Sequence, residues 1–157
     1  MSERVFVALG SNLGDRRANL DEALRRLSTL EGTRVLAVAP VIETPALLPL
    51  EDPTPQPDYL NTVAEVATAL EPLLLLRALK GLEKDLGRVV TTRWAPRLID
   101  LDLVLYGERV LSVDELTVPH PGLTTRLFVL EPLLALAPDL VHPVLAVRLD
   151  ALRARLG

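Results

Sequence analysis

Two aspartates, Asp100 and Asp102, are the residues best placed to do chemistry. They lie in the stretch Arg93-Trp94-Ala95-Pro96-Arg97-Leu98-Ile99-Asp100-Leu101-Asp102-Leu103-Val104-Leu105-Tyr106. From Leu98 onward this stretch reads as a β-strand, whose successive side chains point to opposite faces. Ile99, Leu101, Leu103 and Leu105 are therefore expected on one wholly apolar face, and Leu98, Asp100, Asp102 and Val104 on the other. At i, i+2 spacing the carboxylates would lie ~6–7 Å apart and repel by about 2–3 kcal/mol at an effective dielectric of 20. A hard cation such as Mg²⁺ turns that repulsion into attraction. Carboxylates for a metal, beside the guanidinium groups of Arg93 and Arg97 for phosphate, are the components of phosphoryl transfer. Two readings stand at this point, because alternating acids are also what the solvated face of an antiparallel sheet carries. The Arg-Trp-x-Pro-Arg lead-in weighs toward a site, since a tryptophan beside arginines serves stacking and closure over a ligand.

The rest of the chain must supply a scaffold for that strand. At 157 residues a single domain, 1–157, is expected, long enough for a proper core. Apolar residues make up 49% and aromatic residues only 3%, so the core must be built mainly from Leu, Val and Ala. The net charge of −4 argues against non-specific nucleic-acid binding. There is no cysteine, hence no disulfide and no thiolate metal site. Met-Ser-Glu-Arg leads straight into a strand-like run, and no apolar run reaches the length of a membrane span, so a cytoplasmic location is expected. Lys80 and Lys84 are the two lysines among 17 basic residues. That arginine bias, with 13 prolines, fits a thermophilic source and a biased genomic base composition equally.

Hydrophobic periodicity gives the elements. Arg4 to Leu9 suits a buried strand that stops at the turn-rich Gly10-Ser11-Asn12-Leu13-Gly14-Asp15. Asp15 is a good helix N-cap, Leu20, Ala23, Leu24, Leu27 and Leu30 recur at helical spacing, and Gly32 is expected to end the helix. Arg34 to Glu43 reads as a second strand in which Pro40 marks an edge or bulge. Thr44 to Pro57 holds five prolines and two acids without periodicity, which inside a compact domain points to a functional loop. A strand follows around Tyr59 to Ala67. Pro72 then opens a helix striped by Leu75, Leu79, Leu82 and Leu86 and closed by Gly87. After a loop, Arg88 to Pro96, comes the aspartate strand. A turn at 106–108 leads into a strand over Arg109 to Val113, and a loop follows at 118–122. A helix over Thr124 to Leu136, interrupted by Pro132, and another over Arg148 to Leu156 complete the chain. The order predicts an α+β fold: a ferredoxin-like βαββαβ core with an additional C-terminal strand and helices, its antiparallel sheet flanked by helices.

Several patches, taken together, resemble the 6-hydroxymethyl-7,8-dihydropterin pyrophosphokinase family of folate biosynthesis. They are Phe6 to Asp15, Gln56-Pro57-Asp58-Tyr59-Leu60-Asn61, Arg93 to Asp102, and Thr117-Val118-Pro119-His120 followed by Arg126. The likeness runs nearly end to end, in order and spacing. It implies transfer of a pyrophosphoryl group from ATP to the hydroxymethyl group of a reduced pterin, releasing AMP. Asp100 and Asp102 would hold two Mg²⁺ ions, and Asp100 would also approach the pterin. Arg97 would sit on the nucleotide phosphates, with Arg88 and Arg93 on a loop that closes over the reacting centre and Trp94 sealing the pterin side. His120 and Arg126 would bind ATP phosphates or ribose, Thr117 would lie near the adenine, and Glu83 matches an acid near the nucleotide. Tyr59 and Phe128 are the implied stacking partners of the pterin and Asn61 its hydrogen-bonding partner, with Thr44, Pro45 and Leu47 supplying loop contacts. Taken without the resemblance, Tyr59, Phe128 and Asn61 read as core and turn residues, His120 as a turn cap, and Gly10 and Gly14 as turn formers.

The chain departs from the pattern at Val90 or Thr91, where many relatives carry a second arginine. It departs also at Ala95, where glycine is common, and at Glu115, where some carry an arginine at the adenine. The implied partners are ATP and a reduced pterin, with no nucleic acid and no membrane, and a monomer is favoured. Two other classes compete with this reading: a ligand-binding module on the same fold without catalysis, and an RNA binder. The acidic charge and the lack of aromatic pairs on strands argue against the RNA binder.

Overall fold

The computed structural model describes residues 3–45, 50, 55, 57–86 and 99–156. In chain order the elements are β1 (Val5–Ser11), α1 (Arg16–Leu27), β2 (Thr33–Val38), β3 (Ile42–Thr44), β4 (Tyr59–Thr68), α2 (Pro72–Asp85), β5 (Asp100–Tyr106), β6 (Leu111–Val113), β7 (Leu116–Val118), α3 (Leu127–Leu136) and α4 (Leu149–Leu156). The main sheet is antiparallel in the order β2-β4-β1-β5, with β3 also pairing β4. This is the βαββαβ plan expected from the sequence. Gly87, the Arg88–Pro96 loop, Arg97 and Leu98, and residues 46–49, 51–54 and 56 of the proline-rich segment lie outside the described residues.

Strand alternation divides the core in two. Val5, Val7 and Leu9 of β1 pack with Leu20, Ala23 and Leu27 of α1 and Leu75, Leu79 and Leu82 of α2. Phe6 of β1 and Val63 of β4 face the other way, onto Leu130 and Leu133 of α3 and Leu149 and Leu152 of α4. Both faces of the sheet are thus covered by helices, and the aspartates of β5 project on the α3 side.

β5 departs from simple alternation. Phe6 stands opposite Leu105 but Val7 stands opposite Leu103, so one residue of β5, Val104, is extra. Such a bulge re-aims the residues beyond it. Ile99, Leu101 and Leu103 share the α1–α2 face, as expected, whereas Leu105 joins Val104 on the α3 side. Tyr106 returns to the first core, its hydroxyl donating to the Leu70 carbonyl at 2.6 Å.

Other expectations shift at element ends. Asp15 caps α1, its carboxylate accepting from the Ala18 N–H at 3.1 Å. The helix ends at Leu27 rather than near Gly32, because the Thr29 hydroxyl donates to the Arg26 carbonyl at 2.8 Å and closes the last turn. Gly32, at φ +68°, instead turns the chain into β2. The expected strand over Arg34–Glu43 is two strands, β2 and β3, separated around Pro40, with an irregularity between Val35 and Ala37. A separate hairpin, β6–β7, replaces the one extra strand expected; three-residue strands are too short to show a period of two. α3 begins at Leu127 rather than Thr124, since a turn with Thr125 N–H on the Gly122 carbonyl precedes it.

Candidate active site

The site is built from rows that cross three strands. Gly10 of β1 is paired with Asn61 of β4 on one side and Asp100 of β5 on the other. Two residues back, Ala8 lies between Val63 and Asp102. The floor between the acidic strand and Asn61 is therefore made by a glycine and an alanine. The sequence reading ended β1 before Gly10 and gave that glycine to the turn. Instead it lies inside β1, where a Cβ would come within 2.9 Å of Asn61 Oδ1 and 3.3 Å of Tyr59 Cδ1. Close approach, not a left-handed backbone, is the reason for glycine there. Gly14, at φ 69°, does serve the turn.

A cavity of about 380 Å³ opens over this floor. Its walls bring together Thr44, Pro45, Tyr59 and Asn61 on one side, Asp100, Asp102, His120 and Arg126 on the other, and Phe128 at the head of α3. Asn61 is buried and its amide donates to Thr44 Oγ1 at 2.6 Å, which ties the β4 wall to β3 and fixes the amide. Tyr59 begins β4 just after a clamped chain segment: Asn12 Nδ2 donates to the Pro57 carbonyl at 3.2 Å and Arg16 to the Asp58 carbonyl at 2.7 Å. The Arg126 guanidinium lies 5.8 Å from the centre of the Phe128 ring. Pro132, four residues on, lacks the N–H that would otherwise bond the Phe128 carbonyl.

His120 both caps a turn and lines the cavity. Its Nδ1 accepts from the Gly122 N–H at 2.9 Å, and its own N–H bonds the Val104 carbonyl of β5 at 2.9 Å. An accepting Nδ1 places the ring proton on Nε2, so the neutral imidazole is a hydrogen-bond donor there. Burial holds its pKa below the ordinary histidine value; Asp102 opposes this, and Arg126 and Lys80 add to it.

The carboxylates are held from behind by α2. Among the described residues β5 is the edge strand of the main sheet, so Leu101, the residue between the two aspartates, has no further described strand to bond. Two side chains of α2 take that role. Glu83 Oε1 accepts from the Leu101 N–H at 3.2 Å, and Lys80 Nζ donates to the Leu101 carbonyl at 2.8 Å. The two are paired with each other at 2.7 Å, and Lys80 Nζ also reaches Asp102 Oδ1 at 3.5 Å. Glu83 is 1% exposed, whereas Lys80 and Asp102 are each 41% exposed. Burial works against the ammonium, yet Asp102, Glu83 and Asp100 outweigh it and keep the Lys80 pKa above its ordinary value.

Of the sequence-derived candidates, Glu83 and Thr117 do not line the cavity: Glu83 lies beneath β5, and Thr117 is exposed on β7 opposite Ser112. Leu47, Arg88, Arg93, Trp94 and Arg97 lie outside the described residues. Lys80 was not among the candidates, although it lines the cavity. Its sequence signal was a Lys–Glu pair at i, i+3 flanking the apolar stripe of α2.

Asp100 and Asp102 suit a hard divalent ion. They are oxygen donors on one face of one strand, and a cationic ammonium already stands against one of them. Among the described residues no group of three or more His, Cys, Asp or Glu gathers as a metal site. Mg²⁺ is commonly held by one or two carboxylates, with substrate phosphates and water completing its shell, so two aspartates lining a cavity that also holds Lys80 and Arg126 match that mode.

Residues 6–138 match the model of the 7,8-dihydro-6-hydroxymethylpterin-pyrophosphokinase family. The chain belongs to that family. It is 46% identical over 143 residues to the 2-amino-4-hydroxy-6-hydroxymethyldihydropteridine pyrophosphokinase of Pseudomonas aeruginosa, covering 91% of this chain and 86% of that protein. It is also 46% identical over 138 residues to the folic acid synthesis protein fol1 of Schizosaccharomyces pombe, covering 88% of this chain but only 18% of that much longer protein. The fold is that of Plasmodium falciparum HPPK-DHPS, with a TM-score of 0.74 at 13% identity, covering 99% of this chain and 41% of that one. For this member of the pyrophosphokinase family, no helix among the described residues is long and apolar enough to cross a membrane.

Proposed function

We propose that this chain transfers a pyrophosphoryl group from ATP to the hydroxymethyl group of 6-hydroxymethyl-7,8-dihydropterin, releasing AMP, with two Mg²⁺ ions held by Asp100 and Asp102. The observation that carries this reading is one cavity whose opposite walls differ in chemistry. Aromatic and amide groups, Tyr59, Phe128 and Asn61, face a wall made of the carboxylates Asp100 and Asp102, the cations Lys80 and Arg126, and the neutral donor His120. A planar, donor-and-acceptor-edged heterocycle suits the first wall, and a metal-bound triphosphate suits the second.

In this reading the pterin stacks between Tyr59 and Phe128, and Asn61, its rotamer fixed by Thr44, bonds the heterocycle edge. Thr44 and Pro45 close that side, with Leu47 and Trp94 as further contacts. Arg126 and the Nε2–H of neutral His120 bind phosphate oxygens. Arg97 joins them on the triphosphate, Arg88 and Arg93 add charge as the site closes, and Thr117 and Glu83 belong to the nucleotide side. Bound Mg²⁺ supplies charge neutralisation on the phosphates and lowers the cost of bringing the hydroxyl to them. The pterin hydroxyl oxygen attacks the β-phosphorus in line and releases its proton to solvent, the bond between that phosphorus and the α–β bridging oxygen breaks, and the oxygen leaves on AMP. Catalysis is then positioning and charge stabilisation, with little covalent work for the protein. The whole chain, 1–157, acts as one domain and as a monomer in the cytoplasm.

The test is AMP formation by Asp100→Asn and Asp102→Asn, which keep the shape and remove one charge each. Turnover should fall by at least about 100-fold in either, with pterin binding retained. Turnover near that of the unaltered chain in both would remove the metal assignment.

A further inference from the structure

Arg16, the first residue of α1, reaches both strands that carry the aromatic and amide wall. Its Nη1 donates to Glu43 Oε2 at 2.6 Å and to the Asp58 carbonyl at 2.7 Å. Each acceptor belongs to the residue just before a cavity residue. Glu43 precedes Thr44 at the end of β3, and Asp58 precedes Tyr59 at the start of β4. Thr44 and Tyr59 stand opposite each other in the β3–β4 register, and both line the cavity. β3 has only three residues, so its ladder with β4 is short. The guanidinium joins the two strands a second time, at the two ends of the proline-rich segment. The helix end from which it reaches is itself fixed, since Asp15 caps α1 through the Ala18 N–H at 3.1 Å.

We infer that Arg16 is a positioning residue for the heterocycle. It sets where Thr44 and Tyr59 stand relative to each other, and through the 2.6 Å bond to Thr44 Oγ1 it sets the Asn61 amide. It does this without lining the cavity. The inference rests on the pterin reading above. Arg16 is 30% exposed and Glu43 52%, so solvent screens the ion pair and its share of the global stability is small. What the pair fixes is geometry, and a small misplacement of binding groups is felt in binding and rate long before it unfolds a domain. Both bonds leave from one nitrogen, so the planar fork of the guanidinium is not what these acceptors use. A lysine ammonium, with three donors on a single atom, can serve both.

The test is steady-state kinetics of the full chain with ATP, Mg²⁺ and 6-hydroxymethyl-7,8-dihydropterin, in Arg16→Gln, Arg16→Lys and Arg17→Gln. Arg17 pairs with Asp21 of its own helix at 3.6 Å, so Arg17→Gln controls for loss of a charge on α1. Arg16→Gln should raise the pterin KM about fivefold or more, the factor that one net charge-assisted hydrogen bond supplies. Its ATP KM should stay within about twofold, and its urea midpoint should be that of the unaltered chain. Arg16→Lys should bring the pterin KM back to within about twofold, and Arg17→Gln should match the unaltered chain. An unchanged pterin KM in Arg16→Gln, an equal rise in the pterin and ATP KM, a rise that comes only with a lowered urea midpoint, or no recovery in Arg16→Lys would each overturn the inference. Asn61→Ala separates it from the reading beneath it. A raised pterin KM in Asn61→Ala with none in Arg16→Gln would remove the role of Arg16 alone. An unchanged pterin KM in Asn61→Ala would remove the pterin reading, and this inference with it.

Discussion

At Gly10 the missing side chain is the functional feature. It lies between Asn61 and Asp100 in one cross-strand row, and a methyl group there would press on Asn61 Oδ1 at 2.9 Å. Asn61 cannot retreat without giving up its 2.6 Å bond to Thr44. Gly10→Ala is therefore expected to raise the pterin KM by roughly 10- to 100-fold, as misplacement of a positioning group does. Pterin saturation kinetics checks this, and an unchanged KM would contradict the geometry. Glu83 is a second residue whose role is local. Glu83→Ala removes a buried acceptor from the Leu101 N–H and should cost about 2 kcal/mol of stability, measured by urea unfolding. A loss under about 0.5 kcal/mol would show that water replaces the carboxylate there without penalty. The aspartate pair was legible in the sequence because two acids inside an apolar strand are conspicuous. Lys80 was not, because an i, i+3 Lys–Glu pair on a helix ordinarily marks a solvated surface. Gly10 was misread because a glycine after an apolar run signals a turn as readily as it signals a neighbour that needs its space.

At the scale of elements, periodicity carried the reading furthest where segments are long. α2 and β4 match their expected spans closely, since the leucine stripe and the Pro72 start each reinforce one answer. The α1 N-cap was equally plain. Asp15→Ala should cost about 1 kcal/mol by losing the bond to the Ala18 N–H, and chemical denaturation measures it directly. No loss of stability would mean that water caps the helix as well as the carboxylate does. The bulge at Val104 was not legible, because every residue from Leu103 to Tyr106 is apolar and an apolar run carries no record of register. It matters to the site, since it lets Asp100, Asp102, Val104 and Leu105 share the α3 side of the sheet while Tyr106 anchors the first core.

For the whole molecule, the two histidines set a pH dependence. Burial depresses both pKa values, that of His120 with help from Arg126 and Lys80 against Asp102, and that of His142 alone. His142 Nδ1 accepts from the Val144 and Leu145 N–H groups at 3.2 and 3.1 Å, so protonation would cost those bonds. In the unfolded chain both rings return to about 6.5. As the pH falls below that value the unfolded chain takes up protons that the folded chain refuses. The stabilisation is present above about 6.5 and is lost as the pH falls toward the depressed folded values. Stability measured across that window should decline with acidification, and His142→Asn should flatten the slope. An equally steep slope in the variant would contradict the assignment.

The measurement that tests the central claim most directly is ³¹P NMR of the products formed from ATP, Mg²⁺ and 6-hydroxymethyl-7,8-dihydropterin by the full chain. Attack at the β-phosphorus predicts two sets of signals: AMP, and a pterin diphosphate carrying both the β- and γ-phosphorus of ATP. ADP with a pterin monophosphate would instead place the attack at the γ-phosphorus and contradict the account.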